Sequence, residues 1–173
     1  MEKSIIMVIA PNRFRDEELL VPKKIFEDEG VNVTVASTRT GTATGKLGAK
    51  VNVETNIANV KADDFDAVVF VGGGGVEEYG LHQNPQLHKL AVEANNQNKV
   101  TAAICIAPMI LAESGILKDR NVTTFPSSEE YITKRGGHLT HEPVSVDGKI
   151  VTGSGPEAAR KFGETILKLL GAI

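Results

Sequence analysis

The sequence predicts a doubly wound α/β sandwich built on a mostly parallel sheet, and three observations carry that reading. Short runs rich in Val and Ile recur along the chain and are nearly continuous in apolar residues, as suits strands buried on both faces. Stretches with helical spacing separate them, an alternation that makes βαβ units. No repeat, low-complexity tract or Pro/Gly/Ser linker divides the 173 residues, a length that suits one domain, 1–173, with a substantial core.

Taken in order, residues 5–10 (IIMVIA) form the first strand. They lack the basic lead and small-residue cleavage site of a secretion signal and run straight into charged residues 13–18. Residues 31–37 form the second strand, and 41–53 (GTATGKLGAKVNV) a Gly/Thr-rich turn and ribbon expected at the sheet edge. Residues 67–71 are the third strand, and Leu87, Leu90, Ala91 and Ala94 share one face of the helix that follows. The fourth strand, 100–105, opens an uncharged stretch that ends at Ala112. That stretch contains Pro108 and falls short of the roughly 20 residues a membrane helix needs, so no membrane partner is expected. A short apolar helix over 109–113 is closed by Gly115. Asp147-Gly148 turns a second edge hairpin within 144–152, and Phe162, Ile166, Leu169 and Leu170 mark the last helix.

Composition removes several classes of function. Nineteen basic residues lie scattered among 22 acidic ones, for a net charge of −3, so there is no basic stripe for nucleic acid. A single cysteine rules out an intrachain disulfide, leaves too few soft ligands for structural zinc and fits a reducing cytoplasm. His82 and His88 are six apart, and His138 and His141 three apart, without the spacing of a metal motif. Gly45-Lys46 fails as a phosphate loop because Thr40 replaces the first glycine and Leu47 the magnesium-binding hydroxyl. Ser154 does not sit in G-x-S-x-G.

Three unusual segments directly follow three strands: 11–18, the four glycines 72–75, and 105–108. Parallel strands bring them to one rim, at the carboxyl ends where such sheets bind ligands. Cys105 lies on a sharp strand-to-helix turn, where backbone N–H groups favour thiolate. The expectation is a partly accessible thiol with a pKa below the usual value of about 8.5. A free cysteine is also a small core hydrophobe in many proteins. Gly72 and Gly73 can turn N–H groups towards developing negative charge, although a glycine run also serves as a plain turn. Glu18 precedes Pro22 by four residues, so a helix through both must bend or start late. There its carboxyl could stay protonated beside a thiolate; the plainer reading is a first-turn glutamate on a helix dipole.

Read together, Glu18-Leu-Leu-Val-Pro22, Asp66-Ala-Val-Val-Phe-Val-Gly-Gly73 and Ala102-Ala-Ile-Cys105-Ile-Ala-Pro108 resemble the ThiJ/PfpI family, which includes a parkinsonism-associated deglycase and chaperone and the PfpI-type intracellular proteases. The similarity continues through Gly136-Gly137-His138, Val146-Asp147-Gly148 and Gly155-Pro156. The resemblance implies a flavodoxin-like doubly wound sandwich, usually a homodimer, with Cys105 as nucleophile and Glu18 as its protonated partner. Gly73 and Ile106 would supply backbone N–H groups to an oxyanion or oxidised sulfur. The sequence departs from the pattern in three places. Ile106 stands where PfpI-type members have the histidine of a triad, although Glu77 matches its glutamate. Phe125 stands before Pro126 where the parkinsonism-associated branch has histidine. Ser154 stands where many members have arginine.

Three functions follow from this. The first is a cysteine-dependent stress-response enzyme, glyoxalase- or deglycase-like, acting on a small-molecule aldehyde or glycated adduct and needing neither metal nor cofactor. The second is a redox-sensing, chaperone-like protein that uses oxidation of Cys105. The third, a cysteine peptidase, lacks an adjacent histidine to activate the nucleophile.

Overall fold

The computed structural model describes residues 2–173. In chain order the elements are β1 (Ser4–Val8), β2 (Asn12–Phe14), α1 (Asp16–Asp28), β3 (Asn32–Ser37), β4 (Gly41–Gly45), β5 (Lys50–Val53), β6 (Thr55–Asn56), β7 (Ala67–Phe70), α2 (Gly75–Glu78) and α3 (Pro85–Asn96). There follow β8 (Val100–Ile104), α4 (Pro108–Ser114), β9 (Asn121–Val122), α5 (Glu129–Thr133), β10 (His138–Leu139), β11 (Val144–Asp147), β12 (Ile150–Gly153) and α6 (Ala159–Leu170).

A seven-stranded sheet with the order β11-β12-β8-β7-β1-β3-β6 forms the centre. All its pairings are parallel except the edge hairpin β11–β12, which turns through Gly148 and Lys149, one residue beyond the expected Asp147-Gly148. Every residue of β7 and β8 is buried, which accounts for their near-continuous apolar runs, broken only by Thr101 in β8. Helices α1 and α6 pack against each other on one side, and α3 and α4 on the other. The spacing expected for α3 holds, since Leu87, Leu90, Ala91 and Ala94 are all buried. In α6, Phe162 and Ile166 are buried as expected, but Leu167 takes the core place that the spacing assigned to Leu169 and Leu170, which pack only partly against it.

One expectation is corrected. The ribbon over 41–53 is no edge of the main sheet: β4 and β5 pair with each other, and β4 with β2, in a separate three-stranded sheet. Of the two readings left open for α1, a bend or a late start, the late start is excluded: the helix begins at Asp16, with the proline buried inside it. Pro22 faces α6 so closely that a Cβ on Gly163 would lie 3.2 Å from the proline Cα. The missing N–H thus falls at a tight helix–helix contact.

Candidate active site at Cys105

Strand β8 ends at Ile104, and the chain reverses at Cys105 with φ of 66°, a left-handed conformation uncommon for a residue with a side chain. Such backbone persists only where its surroundings over-determine it. Here the Cys105 N–H donates to the Gly153 carbonyl at 2.9 Å, and the Cys105 carbonyl accepts from the Phe125 N–H and the Thr124 hydroxyl, each at 2.8 Å. The turn leads into α4, which Gly115 closes with φ of 92° as expected.

The glycines fit a close approach rather than flexibility. A Cβ on Gly72 would lie 2.6 Å from both the Cys105 Cβ and Glu18 Oε1, and one on Gly73, whose φ is 110°, would lie 2.5 Å from the Arg13 carbonyl. No side chain fits in either place. Glu18 reaches this point from the first turn of α1, fully buried, with Oε1 accepting from the Gly72 N–H at 2.9 Å. Its Oε2 is buried without a hydrogen-bond partner of good geometry. A carboxyl so placed is costly when ionised, and burial raises its pKa from 4.5 to about 7.

The thiol behaves differently from the expectation. Burial, and then the neighbouring Glu18 carboxyl, push the Cys105 thiol above its ordinary value, whereas the N–H groups of Ile106 and Gly73 pull the other way by favouring thiolate. The expected lowering relied on a helix N-terminus, but α4 begins only at Pro108, and desolvation outweighs the two N–H groups. Cys105 is also only 7% exposed. The two acids act on each other: the carboxylate disfavours thiolate, and the bond from the thiol favours carboxylate. The Glu18 carboxyl gives up its proton near neutrality, whereas the thiol holds its own far more tightly.

The sequence model of the DJ-1/PfpI family matches residues 3–169. The chain belongs to that family. Among DJ-1/PfpI structures, it superposes on a ThiJ/PfpI domain protein from Brachyspira murdochii with a TM-score of 0.95 at 34% identity, covering 100% of this chain and 99% of that one. Drosophila melanogaster DJ-1beta gives 0.90 at 27% identity, covering 100% and 92%. A protein named as a deglycase in Pyrococcus abyssi is 32% identical over 165 residues, which are 95% of this chain and 98% of that one.

Within this DJ-1/PfpI fold, Glu18, Gly73, Cys105 and Ile106 converge as the sequence suggested. A cavity of about 220 Å³ opens over the sulfur, lined also by Arg15, Lys46, Glu77 and Phe125. Ile106 and Phe125, at the two positions where family branches carry histidine, give this cavity apolar walls. Ser154, where many members have arginine, lines a neighbouring hollow instead. Among the described residues no group of three or more His, Cys, Asp or Glu side chains could hold a metal ion.

Sequence reasoning missed Arg15 and Lys46. Lys46 reaches the rim because Asp16, buried in the first turn of α1, accepts from the Leu47 and Ala49 N–H groups, both at 2.8 Å, and clamps the β4–β5 turn. A spacing of some thirty residues between clamp and turn left no local signal. Arg15 pairs with Glu17 through contacts of 3.0 and 2.9 Å.

Proposed function

We propose that the protein is a cofactor-independent enzyme in which Cys105 adds to a reactive aldehyde, or to the adduct such an aldehyde forms on an amine or thiol. The observation that carries this reading is the convergence on one sulfur of a buried carboxyl, Glu18, and two backbone N–H groups, those of Gly73 and Ile106. The Pyrococcus relatives named as deglycases support the same chemistry.

For a 2-oxoaldehyde such as methylglyoxal, the sulfur forms a bond to the aldehyde carbon and the carbonyl oxygen takes up a proton, giving a thiohemiacetal. The Gly73 and Ile106 N–H groups stabilise the oxygen while it is negative. Glu18 then takes the hydrogen of that carbon as a proton and returns it to the adjacent carbon through an enediol, leaving a thioester. Water hydrolyses the thioester to a 2-hydroxy acid and frees the thiol. The aldehyde carbon is oxidised and the ketone carbon reduced, so no external redox partner is needed.

Peptide hydrolysis is less well supported, because the departing amine must be protonated and Ile106 and Phe125 cannot do this. The test is a metal-free, glutathione-free panel of methylglyoxal, methylglyoxal-modified amino acids and unstructured peptides, run on wild type and Cys105→Ser. Conversion of the first two by wild type alone is expected. Rapid peptide cleavage that Cys105→Ser abolishes would reverse the ranking, and inactivity on every substrate would favour redox sensing through Cys105.

A further inference from the structure

The Ala107 N–H donates to the Ile104 carbonyl at 3.0 Å, closing a four-residue turn with Cys105 and Ile106 at its centre. Among these two only Cys105 has a positive φ, 66°, at a turn position that glycine ordinarily fills. Cys105 and Ile106 also share one trans peptide plane, in which the Cys105 C=O and the Ile106 N–H point opposite ways. Whatever fixes the carbonyl therefore aims the N–H.

We propose that Thr124 is the positioning residue of this turn: its hydroxyl, steadied by Ser128, holds the Cys105 carbonyl and so keeps the Ile106 N–H directed at the sulfur. Neither Thr124 nor Ser128 lines the cysteine cavity. The proposal rests on the reading above only for its effect on turnover.

The carbonyl is gripped by two consecutive residues. The Thr124 hydroxyl and the Phe125 N–H each donate to it at 2.8 Å, which uses both of its lone pairs. Two donors on the oxygen polarise the peptide and make the Ile106 N–H a stronger donor in turn. The grip is itself anchored. Ser128 Oγ lies 2.8 Å from Thr124 Oγ1, and the Ser128 N–H and hydroxyl both reach the Phe125 carbonyl at 3.0 Å. Because the Thr124 hydrogen is committed to Cys105, Thr124 can only accept from Ser128, and that fixes the direction in which it donates. Thr124 and Ser128 are 4% and 2% exposed, so bulk water does not replace a lost bond.

The test is iodoacetamide alkylation of Cys105 against pH in Thr124→Val, Thr124→Ser and Ser128→Ala, with folding checked by near-ultraviolet circular dichroism. Valine keeps the branched shape and removes the donor. The Ile106 N–H favours thiolate, so its misdirection should move the Thr124→Val profile to higher pH. Below the midpoint, alkylation at any one pH should be about three- to tenfold slower, the worth of one hydrogen bond. The Ile106 amide proton, read by NMR, should move upfield. Thr124→Ser should restore the wild-type profile, and Ser128→Ala should shift it in the same direction as valine but less. If Thr124→Val does not fold, Ser128→Ala carries the test.

A purely structural role would lower the melting temperature and leave the profile of the folded protein in place, and that result overturns the proposal. So does alkylation as fast as wild type in Thr124→Val or Ser128→Ala, or a folded Thr124→Ser that stays slow. Where an aldehyde is turned over, kcat should fall by a similar factor in Thr124→Val with KM little changed. Alkylation needs no substrate, so shifted profiles without turnover of any aldehyde or adduct overturn the catalytic reading and leave the role of Thr124 standing.

Discussion

The Gly72 N–H donates to Glu18 Oε1 at 2.9 Å while Oε2 of the same carboxyl stays buried without a partner. One oxygen is fixed by the backbone, and burial of the other makes the ionised carboxyl costly beside Cys105. A position that would otherwise be an unremarkable first-turn glutamate becomes half of a coupled acid pair.

That coupling makes stability depend on pH with a defined sign. Burial raises the folded-state pKa of Glu18 from 4.5 to about 7, so between those values the folded chain holds a proton that the unfolded chain has lost. Stability should fall as pH rises through that window, by on the order of 3 kcal/mol, and this contribution should be flat on either side. Urea unfolding across the window checks the slope. Glu18→Gln, which does not ionise, should remove most of it; an unchanged slope would show that other groups cause it.

Gly72→Ala places a methyl group 2.6 Å from both the Cys105 Cβ and Glu18 Oε1, and 2.7 Å from the Ile104 carbonyl. Overpacking of this kind costs about 1–3 kcal/mol, and more where backbone must move. Thermal unfolding should show the loss, and the folded fraction should alkylate at Cys105 with an altered pH profile. A variant with wild-type stability and profile would mean that the glycine is a plain turn.

Asp16→Ala leaves the Leu47 and Ala49 N–H groups without their acceptor. The expected cost is about 2–4 kcal/mol for two charge-assisted hydrogen bonds, together with faster amide exchange at Leu47 and Ala49 than in wild type. Hydrogen exchange read by NMR separates this local release from global unfolding.

The sheet was legible because strands buried on both faces leave near-continuous apolar runs, as in β7 and β8. The meeting of Glu18, Gly73 and Cys105 was legible because parallel strands end at one rim. The fate of residues 41–53 was not, since a Gly/Thr-rich ribbon fits an edge or a separate sheet equally well. What decided it, the Asp16 clamp and the pairing of β4 with β2, is long-range. The direction of the thiol shift was also hidden. Local sequence reveals a turn and N–H groups, whereas the dominant influence is desolvation by the whole surrounding core.

The most direct test of the influence of Glu18 on Cys105 is the rate of iodoacetamide alkylation of Cys105 as a function of pH, in wild type and in Glu18→Gln. The Glu18 carboxyl should lose its proton at about 7 in wild type and its charge should then hold the thiol protonated, so the rate should stay low through neutrality and rise only above the ordinary cysteine range. In Glu18→Gln that charge is gone and burial is opposed by the Ile106 and Gly73 N–H groups, so the rise should move to lower pH than in wild type. Superimposable profiles for the two proteins would contradict the account.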